Sequence, residues 1–204
     1  MYDLEDPSRQ LGSNLSEISA HHLTRYYFAA SLLDQKTRVL DIGCGCGYGT
    51  WILWTITGMA AGIDLSPKAI AWADKYYKGP LFLCSDGGSL DEEADIAVVF
   101  EVIEHIPDPK KMLEGLKVKR LIASVPNEEK YPFKADNFKD DSSPHLRHYT
   151  PVEFEKLLND AGFDVVGKFC QIDKLQTGIK SGTEGKFLIY MGVKGNAQND
   201  PLLP

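Results

Sequence analysis

Val39-Leu40-Asp41-Ile42-Gly43-Cys44-Gly45-Cys46-Gly47-Tyr48-Gly49 is the stretch whose reading decides the fold. A short apolar strand that runs into alternating glycines lets the backbone turn sharply and approach a ligand with no Cβ in the way. The dinucleotide-binding pattern wants G-x-G-x-x-G, and Tyr48 stands where its third glycine belongs. Asp41, at the strand end, would repel a pyrophosphate but can hold a cationic amino group. The loop therefore favours a nucleoside ligand carrying positive charge over a dinucleotide.

On either side of this loop, strand and helix patterns alternate. Leu15, Ile18, His22, Tyr26, Ala30 and Leu33 recur at helical spacing and predict a helix over 15–34. Trp51–Trp54 continues as a helix and Met59–Ile63 as a second strand. Ser66-Pro67, Asp108-Pro109 and Thr150-Pro151 each set a capping side chain before a proline at the first helical position. Glu153 completes a capping box with Thr150, and Gly162 suits the stop of that helix. Strand candidates are Leu81–Cys84, Ile96–Phe100, Leu121–Val125, Phe163–Phe169 and Phe187–Val193. The alternation implies a mostly parallel sheet covered on both faces, ending in an antiparallel hairpin at one edge. Pro126–Tyr149 has no clean periodicity, and with Tyr131, Phe133 and Phe138 it reads as a partly ordered lid on the acceptor side.

Composition narrows the classes. The 204 residues, 43% of them hydrophobic, suit one domain over 14–194, with loose tails at 1–13 and 195–204. Twenty-two basic against 29 acidic side chains give a net charge of −7, which argues against a broad surface for nucleic acid. Lys110-Lys111 and Lys117-Val118-Lys119-Arg120 read as a solvated helix face. Cys44, Cys46, Cys84 and Cys170 make no paired knuckles for zinc. No apolar run reaches the roughly 18 residues of a membrane span, and the N-terminus lacks the features of a secretory signal. Those readings give a cytoplasmic protein without membrane attachment.

Asp64 ends the second strand about 20 residues past the glycines, where a carboxylate can accept both hydroxyls of a ribose. A turn or capping role is its alternative. Asp86, closing the third strand, can accept an adenine amine or make an Asx turn. With Asp41-Ile42-Gly43-Cys44-Gly45, these residues resemble a class I S-adenosylmethionine-dependent methyltransferase. Ala94–Ile106 is similar to that family's fourth strand and following turn, and His145–Pro151 with Leu157-Leu158 and Ala161-Gly162-Phe163 to its last helix and strand. The resemblance covers roughly residues 21–193.

The resemblance implies an α/β fold: a Rossmann-like, doubly wound, seven-stranded sheet with one antiparallel edge strand and helices on both faces. S-adenosylmethionine would be the cofactor and S-adenosylhomocysteine the product. Asp41, Gly43 and Gly45 would hold the methionine portion, Asp64 the ribose, and Asp86 with Gly87 the adenine. Leu65 and Glu101 complete the cofactor set, and Arg25 or Tyr26 would close over the cofactor carboxylate. A solvent-exposed Arg25 is the alternative.

The acceptor's proton needs a base, and Glu104, His105, His145 and His148 are the catalytic candidates. Glu101, Glu104, His105 and His145 also resemble the metal set of small-RNA 3′-terminal 2′-O-methyltransferases, where Mg²⁺ or Mn²⁺ would fit. The favoured function is methyl transfer to an O or N atom of a small molecule or sugar. A metal-dependent RNA methyltransferase and a non-catalytic cofactor-binding module are the alternatives.

Overall fold

Apolar strands buried on both sides need cover on both sides. The computed structural model, which describes residues 10–86, 93–133 and 145–195, supplies it. Helices α1 (Ala20–Ser31), α2 (Tyr48–Thr57) and α3 (Pro67–Tyr76) pack on one face, α4 (Pro109–Gly115) and α5 (Pro151–Asp160) on the other. The strands are β1 (Val39–Ile42), β2 (Ala60–Asp64), β3 (Leu81–Cys84), β4 (Ala94–Phe100), β5 (Val118–Pro126), β6 (Phe163–Gln171), β7 (Ile179–Ser181) and β8 (Phe187–Lys194). Along β4 the two-residue period divides the core: Ile96, Val98 and Phe100 join the first face, Ala97 and Val99 the second.

The strand order is β3-β2-β1-β4-β5-β8-β6-β7. Strands β1 to β5 pair in parallel, so their carboxyl ends share one edge. The fold is the expected Rossmann-like α/β sheet, with two differences. It has eight strands rather than seven, and the antiparallel strand β8 lies inside it, paired to both β5 and β6. The burial explains this placement: seven of β8's eight residues are buried, the continuous apolar run of an interior strand. The edge belongs to the short, mostly exposed β7, antiparallel to β6.

Local chemistry accounts for the helix boundaries. Ser66, Asp108 and Thr150 each accept a backbone N–H in the first turn of their helices, and Glu153 returns the bond to the Thr150 N–H at 2.9 Å. Caps of this kind stabilise by about 1 kcal/mol apiece. The helix expected over 15–34 is instead a 3-10 turn at Leu15–Glu17 followed by α1. Gln10 causes the break: its side-chain oxygen accepts from Ser19 N–H (3.1 Å) and O–H (2.6 Å), which holds Ser19 extended.

Three further expectations change. Of the tail thought loose at 1–13, Gln10 and Gly12 are tied down, since the Gly12 carbonyl accepts from Tyr77 O–H (2.9 Å) and Trp72 Nε1–H (3.2 Å). In the basic cluster at 117–120, Lys119 and Arg120 lie on β5 and Lys117 just before it, not on a helix; only Lys110 and Lys111 do. Of the lid, residues 134–144 with Phe138 lie outside the described residues, as do Gly87, 1–9 and 196–204. The lid's two described ends are joined by a bridge between Asn127 and Tyr149. Among the described residues no helix is long and apolar enough to cross a membrane.

Candidate active site

The turn after β1 is built from Gly43, Gly45 and Gly47, at φ of 69°, 54° and 88°. Gly43 is required twice over. Its left-handed backbone disfavours any side chain, and a Cβ there would fall 2.4 Å from Val102 Cγ2. Asp64 secures the turn: one carboxylate oxygen accepts from Gly45 N–H (2.9 Å), the other from Ser66 N–H (2.8 Å). Asp64 thus takes the turn-holding role of its alternative reading while also lining the cavity.

Asp41 departs from expectation. It is fully buried and does not line the cavity. Thr50 O–H donates to one of its oxygens at 2.6 Å and Tyr26 O–H to the other at 3.1 Å. Burial pushes its pKa up to about 7, the two hydroxyls opposing the rise. A direct contact with a ligand's amino group does not fit this geometry. Asp41 instead joins α1, α2 and β1 beneath the loop.

The cavity above has a volume of about 500 Å³ and is open to both halves of the sheet. Asp64, Leu65 and Asp86 line it, as do Glu101, His105 and His145. Glu101 sits at φ 55°, a strained conformation for a carboxylate residue, and accepts from Ser124 O–H at 2.7 Å. Glu104 and His148 stand behind the wall rather than in it. Glu104 is fully buried with neither carboxylate oxygen hydrogen-bonded. Burial, then the neighbouring Glu101 charge, holds its pKa well above the carboxylate range.

The histidines form a chain whose tautomers can be worked out. His148 Nδ1 lies 2.6 Å from the Tyr131 carbonyl, which only accepts, so Nδ1 carries the proton. In the neutral ring His148 Nε2 is then an acceptor. It takes the Nδ1–H of His145 at 2.8 Å. In this tautomer His145 Nε2 carries no proton and is an acceptor. Burial, then His105 and His148, lowers the His145 pKa to about 3, so the ring is neutral. Glu104, His105 and His145 each offer a ligand atom within 4.8 Å of one another.

Arg25 is buried at 1% exposure, so the exposed alternative is excluded. Its guanidinium donates to Gln171 Oε1 (2.9 Å) and His22 Nδ1 (3.3 Å), and lies 5.0 Å over the Phe187 ring. His22 and Tyr48, which reads as glycine-loop sequence, also face the cavity, as do His21, Lys174 and Phe187. Sequence reasoning missed these. His22 was recognisable only as Arg25's neighbour one helical turn away; Phe187 looks like any core strand residue, and Gln171 gives no local signal.

A nucleoside-sized cavity at the carboxyl edge of a parallel sheet, walled by a glycine turn and strand-end carboxylates, defines the class of S-adenosylmethionine-dependent methyltransferases. A methyltransferase-domain family model matches residues 13–168, and the chain belongs to that family. The ubiquinone biosynthesis O-methyltransferase of Paraburkholderia phymatum is 34% identical over 94 residues, 39% of this chain and 38% of that protein. A probable S-adenosylmethionine-dependent methyltransferase of Mycobacterium tuberculosis is 29% identical over 133 residues, 61% of this chain and 48% of that one. The matches thus span less than half of these relatives. Among solved structures, a methyltransferase of Thermotoga maritima described as a possible histamine N-methyltransferase superposes with a TM-score of 0.69. It is 22% identical, covering 86% of this chain and 91% of that one.

Proposed function

We propose that the chain, with residues 14–194 as one domain, methylates an oxygen or nitrogen atom of a small-molecule or sugar acceptor. One observation carries this reading: the glycine turn with Asp64 and Asp86, and the wall of Glu101, His105 and His145, share a single cavity. The printed names of the relatives, a ubiquinone-pathway O-methyltransferase and a possible histamine N-methyltransferase, favour small acceptors. The charge of −7 favours them over a polynucleotide.

S-adenosylmethionine, when bound, supplies a methyl group on a positively charged sulfur. The cavity suits it in kind, since Gly43, Asp64 and Asp86 all line it, and the two carboxylates are acceptors to which ribose hydroxyls and an adenine amine would donate. Gly45 and Leu65 complete that side; Asp41 acts through Tyr26 and Thr50 rather than by contact. At the other end His145 Nε2 accepts the hydrogen bond of the acceptor's O–H or N–H and orients it. A base of pKa about 3 is too weak to strip an alcohol beforehand. It suffices once methylation makes the O–H strongly acidic, so His145 takes the proton as the new bond forms.

Calorimetric titration with S-adenosylhomocysteine, then methyl transfer across an acceptor panel, tests the reading. Absence of binding would overturn it, and binding without turnover on any acceptor would favour the non-catalytic module. His145→Gln should lower kcat on the order of 10²-fold while leaving homocysteine-product affinity within about threefold.

A second reading has its own support. The convergence of Glu104, His105 and His145, with both Glu104 oxygens unpartnered and His145 Nε2 unprotonated, suits a hard divalent cation. Such an ion would polarise acceptor hydroxyls, as a metal-dependent 2′-O-methyltransferase requires. Loss of turnover in EDTA, restored by Mn²⁺ or Mg²⁺, would select this reading; unchanged turnover would remove it.

A further inference from the structure

The walls around His145 narrow the kind of acceptor that its Nε2 atom can meet. Of the described residues between 100 and 145 that line the cavity, Glu101, His105, His145 and the Tyr131 hydroxyl bring hydrogen-bonding side-chain groups. One Glu101 oxygen is already taken by the Ser124 hydroxyl. Val102, Ile106 and Pro126 are apolar. A sugar ring would bury several hydroxyls against that wall, and each costs free energy where it finds no partner. A flat ring with one hydroxyl or one N–H needs a single polar partner and apolar cover.

Tyr131 supplies a face for such a ring. Its side chain lies against His148 at 5.1 Å between ring centroids, and His145 meets the same imidazole at 5.0 Å. Tyr131 and His145, which both line the cavity, thus stand within about 10 Å of each other. One hydrogen bond on His145 and one six-membered ring bridge such a gap. His148 covers one side of Tyr131, yet the residue is 36% exposed and lines the cavity, so its other side is open there. His105 meets the His145 ring at 4.7 Å and 89°, which sets a third ring beside the same wall.

The Tyr131 face is also held in place. Its N–H donates to the Asn127 carbonyl (2.7 Å), and its own carbonyl accepts from His148 Nδ1–H (2.6 Å). Asn127 is fully buried, and its amide N–H₂ donates to the carbonyls of Thr183 (3.0 Å) and Gly185 (2.8 Å), just ahead of β8. A ring pinned to the sheet through its backbone loses little freedom when another ring settles on it. We propose that the methyl acceptor is an aromatic ring bearing the hydroxyl or N–H that is methylated, and that Tyr131 selects it by stacking.

This assignment rests on the cavity holding S-adenosylmethionine, and the experiment separates the two. Wild-type protein saturated with S-adenosylhomocysteine is titrated, by ligand-observed NMR, with 4-methylphenol, 4-methylcyclohexanol and methyl β-D-glucopyranoside. The phenol should bind about fivefold or more tightly than the cyclohexanol, the fold-change of one good ring–ring contact, with the glucoside weakest. Tyr131→Phe should keep that ratio. Tyr131→Leu keeps apolar cover but loses the flat face, and should bring the ratio below about twofold. S-adenosylhomocysteine affinity should stay within about threefold in both variants. Equal binding of phenol and cyclohexanol, tighter binding of the glucoside, or no phenol binding overturns the assignment alone. So does a wild-type ratio in Tyr131→Leu, or a loss of S-adenosylhomocysteine affinity of about tenfold in that variant. Failure of the wild type to bind S-adenosylhomocysteine overturns the reading beneath it.

Discussion

Asp41→Asn offers a quantitative test of the chemistry beneath the glycine loop. Folding raises the Asp41 pKa from an ordinary 3.8 to about 7 because the carboxyl is wholly buried, with only the Thr50 and Tyr26 hydroxyls to favour its charge. Between those values the folded protein holds a proton that the unfolded chain has released. Stability therefore falls as pH rises, by about 1.4 kcal/mol per pH unit. Over the 3.2 units between 3.8 and 7 the loss amounts to about 4 kcal/mol, complete above pH 7. Asn is neutral throughout and of the same shape, and the Thr50 hydroxyl can turn from donor to acceptor. Urea unfolding of both proteins at pH 4.5, 5.5, 6.5 and 8 measures the difference. The variant should gain on the wild type steadily up to pH 7 and then run parallel to it. Curves parallel over the whole range would refute a neutral Asp41 and the burial argument with it.

Other outcomes follow from single contacts. Gly49→Ala places a Cβ 2.1 Å from Tyr26 Cζ inside α2, so a thermal melt should drop by about 5 °C or more. His148→Ala frees His145 to adopt either tautomer; kcat should fall on the order of 10-fold, with S-adenosylhomocysteine affinity unchanged by calorimetry. Glu104→Gln keeps the shape of a wholly buried carboxyl whose pKa burial raises well above the ordinary range, and denaturant midpoints should shift by less than about 1 kcal/mol in stability. A larger loss would mean that Glu104 is charged and paired in the folded protein.

The parallel half of the sheet was readable because its signals are local. β1 runs into Gly43, β2 ends at Asp64, and Ser66-Pro67 and Asp108-Pro109 start the helices that follow, each doing locally what its chemistry predicts. Asp64's turn-holding contacts, the alternative reading of that residue, are local in the same way. Asp41 was misread because its surroundings are not local: Tyr26 and Thr50 come from two helices, and nothing in the strand announces that they close over the carboxylate. Gln10 breaking the first helix is a contact across nine residues that periodicity cannot register. The interior position of β8 depends on its full burial, which an apolar strand shares with many edge partners. His105 and His145 were recognisable as a pair by family likeness, yet the direction of the hydrogen bonds that exposes His145 Nε2 depends on a backbone carbonyl at Tyr131.

The inward position of β8 also has a consequence for how the molecule is made. When a ribosome has delivered residues up to β6 and β7, those strands can pair with each other but not with the rest of the sheet, since β8 lies between them and β5. Until it arrives, β5, with six of its nine residues from Leu121 onward buried in the finished fold, presents an open apolar edge. The nascent chain therefore passes through a long interval with a half-sheet ready to pair with the wrong strand. Cells that make this protein quickly should need a chaperone for that interval.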